Sequence, residues 1–283
     1  MNQEPIIVKA DGTKEPFEPA RLSESLRRAG APTYTANGIA KTVATNVVPG
    51  TSSKEIYTRA FALLRKETRP VAARYALRRA LLELGPSGHP FEDFVSHLFA
   101  KNGSKVETRK MMQGVCVMHE VDFYAVSDHS AVAAELKYHN DPAYKTDLKT
   151  VLYVKSRFDD IFLCDPHDRT CNIDQGLLVT NTKFTTEAIK YAECAGVDLL
   201  GWRYPERDNL FARMTQTRVY PVTTLTTLTR AEKRLLIDRG VIAVDMLRER
   251  RDTLSELRMD AEHIGEVLVE ADGLLALPHP FEG

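Results

Sequence analysis

His119-Glu120-Val121-Asp122-Phe123 and Ala134-Glu135-Leu136-Lys137-Tyr138-His139-Asn140 are the two segments on which the fold turns. Side chains alternate along an extended chain, so Glu135 and Lys137 share a face. Asp122 lies on the preceding extended run, and the short connection predicts antiparallel pairing. In the right register, Asp122, Glu135 and Lys137 converge at a sheet edge or face. Two carboxylates supply hard oxygen ligands for Mg²⁺ or Mn²⁺. Such a metal neutralises developing charge and acidifies a bound water, while the amine orients that water or stabilises the transition state. Bare, two like charges ~4 Å apart repel by ~4 kcal/mol at an effective dielectric of 20, which the lysine and a metal would offset. The acid-x-Lys pattern occurs twice in the chain, at Glu135-Leu136-Lys137 and Asp147-Leu148-Lys149. The second sits in a helical pattern, where positions i and i+2 diverge. The bland reading of the first is a cross-strand group of ion pairs.

The surroundings sharpen that choice. Pro90-Phe91-Glu92 opens a helix to about Asn102, with Phe91, Phe94, Val95, Leu98 and Phe99 on one face, and Gly103 stops it. Three strand-like runs follow at about 104–109, 117–126 and 131–138. A helix over 142–160, a buried strand at Gly176–Thr180, a helix over 184–195 and a strand at Val197–Trp202 complete the order α-β-β-β-α-β-α-β. Upstream, Leu84-Gly85-Pro86-Ser87-Gly88-His89-Pro90 reads as a linker. Residues 1–85 read as a hairpin turning at Asp11-Gly12, then helices over 19–29, 34–47, 52–67 and 70–83. Residues 220–283 read as helical, with a helix–tight turn–helix around Arg239-Gly240-Val241. The expected class is therefore α/β and multi-domain, with divisions 1–85, 88–205 and 220–283.

Composition is ordinary for a globular chain, with 43% apolar and 27% charged among 283 residues. No apolar run approaches the ~20 residues that span a bilayer. The opening MNQEPIIVKADGTK lacks a secretory pattern, and four cysteines make no disulfide framework, so a cytoplasmic protein without membrane partners is expected. A net charge of −1 excludes a uniformly basic nucleic-acid coat but not a local basic face. Between Arg59 and Arg79 stand seven basic residues and one acid, while Met259 onward carries six acids and no Lys or Arg. The bland reading of both is a solvated helix face and an acidic tail. Cys164-x2-His167-x3-Cys171 could be half a zinc site, but its spacing is no standard knuckle and a plain loop is preferred. Trp202 could stack on bases, though a strand-end core aromatic is preferred.

Residues 88–205 resemble the PD-(D/E)XK nuclease superfamily, and within it the Mrr-like restriction endonucleases. The matching residues are Phe91-Glu92, Val121-Asp122, Glu135-Leu136-Lys137, the run Leu178-Val179-Thr180-Asn181-Thr182-Lys183-Phe184-Thr185, Ala188 and Tyr191-Ala192. The resemblance implies an αβββαβ core in which Asp122 and Glu135 bind the metal, Lys137 is the catalytic lysine and Glu92 assists. The Mrr-like Asp-Gly-Gly-Val-Asp stretch reads His119-Glu120-Val121-Asp122 here, without the glycines. His119, Glu120 and His139 are expected as supporting hydrogen-bond partners.

The first 85 residues resemble an ATP-cone, through Val8-Lys9-Ala10-Asp11-Gly12, Phe17, Arg21-Leu22, Thr51-Ser52-Ser53-Lys54-Glu55-Ile56-Tyr57 and Ala72-Ala73-Arg74-Tyr75-Ala76-Leu77. That resemblance implies ATP or dATP binding under the hairpin. Lys9 and Arg21 would pair with phosphates, and Ile7, Val8 and Ile56 would pack near the base. The family has a basic residue after the lysine, where this chain has Ala10. Residues 225–242 are weakly similar to helix-hairpin-helix DNA-binding units. Together these expectations describe a nucleotide-regulated, Mg²⁺-dependent DNA endonuclease that forms homo-oligomers. The alternative is a non-cleaving DNA-binding regulator that senses ATP or dATP.

Overall fold

The structure is a computed structural model, and it describes residues 5–163, 173–257 and 259–278. The chain divides into two compact units, Met1–Ala80 with Tyr220–Gly283, and Leu81–Val219. The three expected divisions thus become two, because the C-terminal helices bury their apolar face against the N-terminal helices rather than forming a core alone.

In the first unit, β1 (Ile6–Val8) and β2 (Lys14–Pro16) pair antiparallel, with Ile7 opposite Glu15. Asp11 closes the hairpin by accepting from the Thr13 amide (3.1 Å) and hydroxyl (2.6 Å), and Gly12 supplies φ +79°. Helices α1 (Pro19–Arg28), α2 (Thr33–Ala44), α3 (Ser53–Glu67), α4 (Arg69–Tyr75) and α5 (Leu77–Leu82) follow. The Ser52 side chain caps α3 by accepting from the Glu55 amide. The single helix expected over 70–83 is broken at Ala76. Arg74 there turns inward, 1% exposed, and donates from Nε to the Ala29 carbonyl at 2.7 Å and from one terminal nitrogen to the Pro278 carbonyl at 2.7 Å.

The second unit carries the sheet. Its elements are α6 (His89–Lys101), β3 (Lys105–Gln113), β4 (Met118–Val126), β5 (Ala131–Lys137), β6 (Lys145–Thr146), α7 (Leu148–Phe162), β7 (Gln175–Thr180), β8 (Lys183–Phe184), α8 (Thr186–Ala195), β9 (Asp198–Leu200) and α9 (Leu210–Thr217). The strand order is β3-β4-β5-β7-β9. β3, β4 and β5 are antiparallel neighbours, and β5, β7 and β9 run parallel. Helices α7 and α8 pack together, with Val151, Val154, Phe158 and Ala188 in one buried cluster with strand residues Ala133 and Leu178. Helix α6 covers the other face, where Phe99 meets Phe123 at 5.0 Å between ring centroids. Gly176 is required by close approach, since a Cβ there would lie 2.2 Å from the Phe158 ring.

The expected order is found, with corrections to its detail. The helix expected over 142–160 starts only at Leu148, where the Asp147 side chain caps it, and β6 occupies part of the earlier stretch. The strand expected over 104–109 runs on to Gln113. Helix α9 and the small β6–β8 pair are additions to the expected order.

The chain then returns to the first unit through α10 (Arg230–Asp238), α11 (Met246–Glu249), α12 (Arg251–Glu256) and α13 (Ala261–Leu275). Leu225 and Leu228, read as helical, precede α10. After Gly240 the chain is extended, with Val222 N–H on the Ile242 carbonyl (2.9 Å) and Val244 N–H on the Tyr220 carbonyl (2.8 Å). The helix–tight turn–helix is therefore a helix, a turn and a backbone bridge. Buried Glu270 on α13 locks it, accepting from the amides and hydroxyls of Thr226 and Thr227 at 2.6–2.9 Å.

Candidate functional site

Asp122, Glu135 and Lys137 meet at the middle of β4 and the end of β5. The β4–β5 ladder reaches Phe123↔Ala134 and stops there, one step before Asp122 and Glu135. The Leu136 amide donates instead to the Asp122 carboxylate, so the side chain takes over where the ladder ends. β5 is the middle strand of five, which makes this a splayed point inside the sheet rather than an edge.

Glu135 is buried, at 4% exposure, and its charge is fully compensated. Lys137 Nζ lies 2.6 Å from Oε1, and the Arg157 guanidinium on α7 pairs with Oε2. Arg157 also donates to the Glu120 carbonyl at 3.1 Å and to the Tyr153 hydroxyl at 2.5 Å. One guanidinium thus ties β4, β5 and α7 together. Sequence spacing could not reveal it, because it stands 22 residues from Glu135 on a separate helix. The one local signal was the i,i+4 spacing of Tyr153 and Arg157.

Asp122 is partly buried, and its carboxyl is pushed up to about 7. Desolvation is the main cause, and the Glu135 charge adds to it. The Leu136 amide opposes the shift, Glu92 adds a smaller push and Lys137 pulls down. Glu92, near the start of α6, is raised as well, chiefly by burial and against the pull of His89 and Arg109. Its carboxylate lies over Gly88, where a Cβ would come within 3.1 Å. Glu92 therefore belongs to the same electrostatic group as Asp122 and Glu135.

The supporting residues divide. His119 Nε2 lies 2.7 Å from Asp160 Oδ2 on α7, and Asp160 also accepts from the Cys116 and Val117 amides, which holds the β3–β4 turn against the helix. The Cys116 thiol, followed by His119 and these amides, keeps the Asp160 carboxyl well below the usual carboxylate range. The Glu120 side chain is exposed, and only its carbonyl serves the site. His139 lies 3.1 Å from the Thr146 hydroxyl, and burial lowers its pKa. Its backbone is held by the Asn181 side chain through bonds of 2.9 and 2.8 Å. Trp202 is buried against Phe211 and presents no free face for a base. Cys164, His167 and Cys171 lie outside the described residues.

Among the described residues, no group of three or more His, Cys, Asp or Glu side chains is arranged to hold a metal ion. What Asp122 and Glu135 offer is a two-carboxylate oxygen set. That suits a hard, largely hydrated cation completed by waters and a phosphate oxygen better than a closed cage.

The nucleotide candidates in the first unit have a different environment. Ile7 and Ile56 are each 6% exposed and sit in the helical core. Val8 is part-buried, and its amide bonds the Thr51 carbonyl at 3.1 Å, joining the hairpin to the start of α3. Lys9 and Arg21 both reach Glu15, at 2.5 and 3.7 Å, and Arg21 also pairs with Glu18 at 2.8 Å. The two cations, Lys9 in the hairpin and Arg21 on α1, do converge, but on a carboxylate of the hairpin. Among the described residues, no helix is long and apolar enough to cross a membrane.

The family model described as "AF1548-like, C-terminal" matches residues 220–275. An uncharacterized protein of Archaeoglobus fulgidus is 34% identical over 181 residues, which is 62% of this chain and 97% of that protein. The crystal structure titled as the protein of unknown function AF1548 matches with a TM-score of 0.53 and 30% identity, over 67% of this chain and 98% of that one. The chain belongs to the AF1548-like family.

Proposed function

We propose that this protein is a Mg²⁺-dependent DNA endonuclease of the PD-(D/E)XK type, regulated by ATP or dATP bound to its N-terminal cone. The observation that supports the reading is the convergence of Asp122, Glu135 and Lys137 at one splayed point in the sheet, with Glu92 in the same electrostatic group. Asp122 and Glu135 would hold the cation, which when bound supplies charge neutralisation and acidifies water. Lys137 would orient the attacking water and stabilise charge on the phosphoryl oxygens. Water adds to phosphorus and releases a proton to solvent, the P–O ester bond breaks, and the leaving alkoxide takes a proton. Glu92, whose carboxyl is raised chiefly by burial, would assist in proton transfer to the leaving oxygen.

The test is cleavage of duplex DNA with Mg²⁺ or Mn²⁺ by wild type, Asp122→Ala and Lys137→Ala. Wild-type cleavage lost in both variants supports the reading, and equal cleavage by all three overturns it. A thermal-shift titration with ATP and dATP tests the cone, since a ligand that binds only the native state raises apparent stability. Light scattering with and without nucleotide tests whether the ligand changes a homo-oligomer.

One observation favours the non-cleaving regulator. Both Glu135 oxygens are taken by cations in this structure, as they would be in a site kept for its shape. DNA binding without metal-dependent turnover would select that reading.

A further inference from the structure

The strand that flanks Asp122 on its other side is also irregular there. β3 and β4 pair as Thr108↔Phe123 and Lys110↔Val121, a register that puts Arg109 opposite Asp122. That position is left out of the ladder, and Arg109 adopts φ +50°, in the left-handed region that a long side chain rarely occupies. The β4 side chains slip in phase at the same place. Val121 and Tyr124, three residues apart, share the buried cluster of Val151, Val154 and Phe158 on α7, while Phe123 packs on Phe99 of α6. Asp122 is therefore the one residue of β4 that the ladders on both sides leave unpaired between paired neighbours on β3.

The left-handed backbone at Arg109 is what the slip requires, and glycine would meet that need with less strain. The chain puts an arginine there instead. Its side chain is 41% exposed, and the guanidinium lies 2.8 Å from Asp93 on α6, the neighbour of Glu92. The charges of Asp93, Glu92 and Asp122 all act on it. A planar, solvent-facing guanidinium at the lip of an acidic site is suited to bind a phosphate that must approach those carboxylates. Without such a cation, the acids would repel the substrate.

We infer that Arg109 is a phosphate-binding residue, presented by the left-handed kink in β3 opposite Asp122, which receives a backbone phosphate of duplex DNA next to the bond to be cut and exchanges Asp93 for it. The inference rests on the nuclease reading for its substrate, but it is measured by affinity as well as by turnover. The experiment uses full-length protein and a labelled DNA duplex, with Ca²⁺ for binding and Mg²⁺ for cleavage. It compares wild type with Arg109→Gly, Arg109→Lys and Asp93→Asn.

Arg109→Gly relaxes the backbone and removes the charge. It should melt no lower than wild type, bind about tenfold more weakly and show a salt dependence shallower by about one phosphate contact. Its cleavage should fall by about 10²-fold, the scale for loss of one electrostatic stabiliser. Arg109→Lys keeps a charge in place and should lie between glycine and wild type. Asp93→Asn frees the arginine and should bind DNA at least as tightly as wild type. The inference is overturned if Arg109→Gly binds and cuts within twofold of wild type, or if Asp93→Asn reproduces its defect. A duplex bound but left uncut by wild type removes the hydrolysis reading, while the arginine is still judged by its affinity and salt slope. A duplex that wild type does not bind overturns both.

Discussion

Two carboxylates in this protein each hold two cations, and the two arrangements could hardly be more different in consequence. Glu135 binds Lys137 and Arg157 with its side chain 5% exposed, between strands and a helix. Glu15 binds Lys9 and Arg21 on an exposed hairpin, its own side chain 28% exposed and its partners 44% and 64%. The same count of charges is a rigid structural knot in one place and an exchangeable contact in the other. Burial makes the difference: charge removed from water is costly unless paired, while an exposed pair trades one solvated state for another. A buried cluster can fix the geometry of a reaction site, and an exposed one can give up its cations to a passing ligand.

The comparison breaks most visibly at the proposed DNA cleavage. Asp122→Ala and Lys137→Ala should each lower metal-dependent DNA cleavage by about 10³-fold or more, while Glu15→Ala leaves the DNA-cleaving step within a few-fold, measured under single-turnover conditions. Stability should sort the same way. Glu135→Ala strands Lys137 and Arg157 beside an apolar core and should cost about 3–5 kcal/mol in a denaturant melt. Glu15→Ala should cost at most about 1 kcal/mol. Equal losses at the two positions would show that burial is not what separates them.

A pH series sharpens the contrast. Folding raises the Asp122 carboxyl from its ordinary value near 4 to about 7, so the native state holds a proton that the unfolded chain has released. Stability from this group is present below about pH 4 and is lost as pH rises through about 7. Asp122→Asn should remove that slope and be the more stable protein at pH 8, read from melts between pH 5 and 8. A variant that kept the wild-type slope would place the titrating group elsewhere. The smallest expected effect has the opposite sign. If Lys9 and Arg21 serve phosphates, Glu15→Gln frees them and should tighten ATP or dATP binding by about two- to fivefold in calorimetry. Weaker binding would mean that Glu15 itself holds the nucleotide site in shape.

Much of the site was legible because strand alternation is a local rule. Glu135 and Lys137 had to share a face, and a helix, three strands, a helix and a strand could be read from apolar spacing, caps and glycines. Arg157 and Arg109 were not legible. Arg157 reaches Glu135 only because α7 packs across β5, and its i,i+4 spacing to Tyr153 says nothing about a partner on a strand. Arg109 stands in a run that reads as an ordinary polar edge, and its left-handed backbone follows from a phase slip shared by two strands. The C-terminal helices misled for a related reason. Leu225 and Leu228 have the spacing of a helix, but the backbone bridge between 220–222 and 242–244 and the buried Glu270 claim those residues for loop structure.

The sequence by itself determined the class of the fold, the order of its elements and the acid-acid-lysine set, since each depends on periodicity or on residue type within a few positions. Only the tertiary structure decided that the last helices join the first ones, that the site opens inside the sheet at Asp122, and that two arginines flank it. Those outcomes depend on which faces meet across long loops and on where one strand slips against its neighbour, and no local pattern of side chains carries that information.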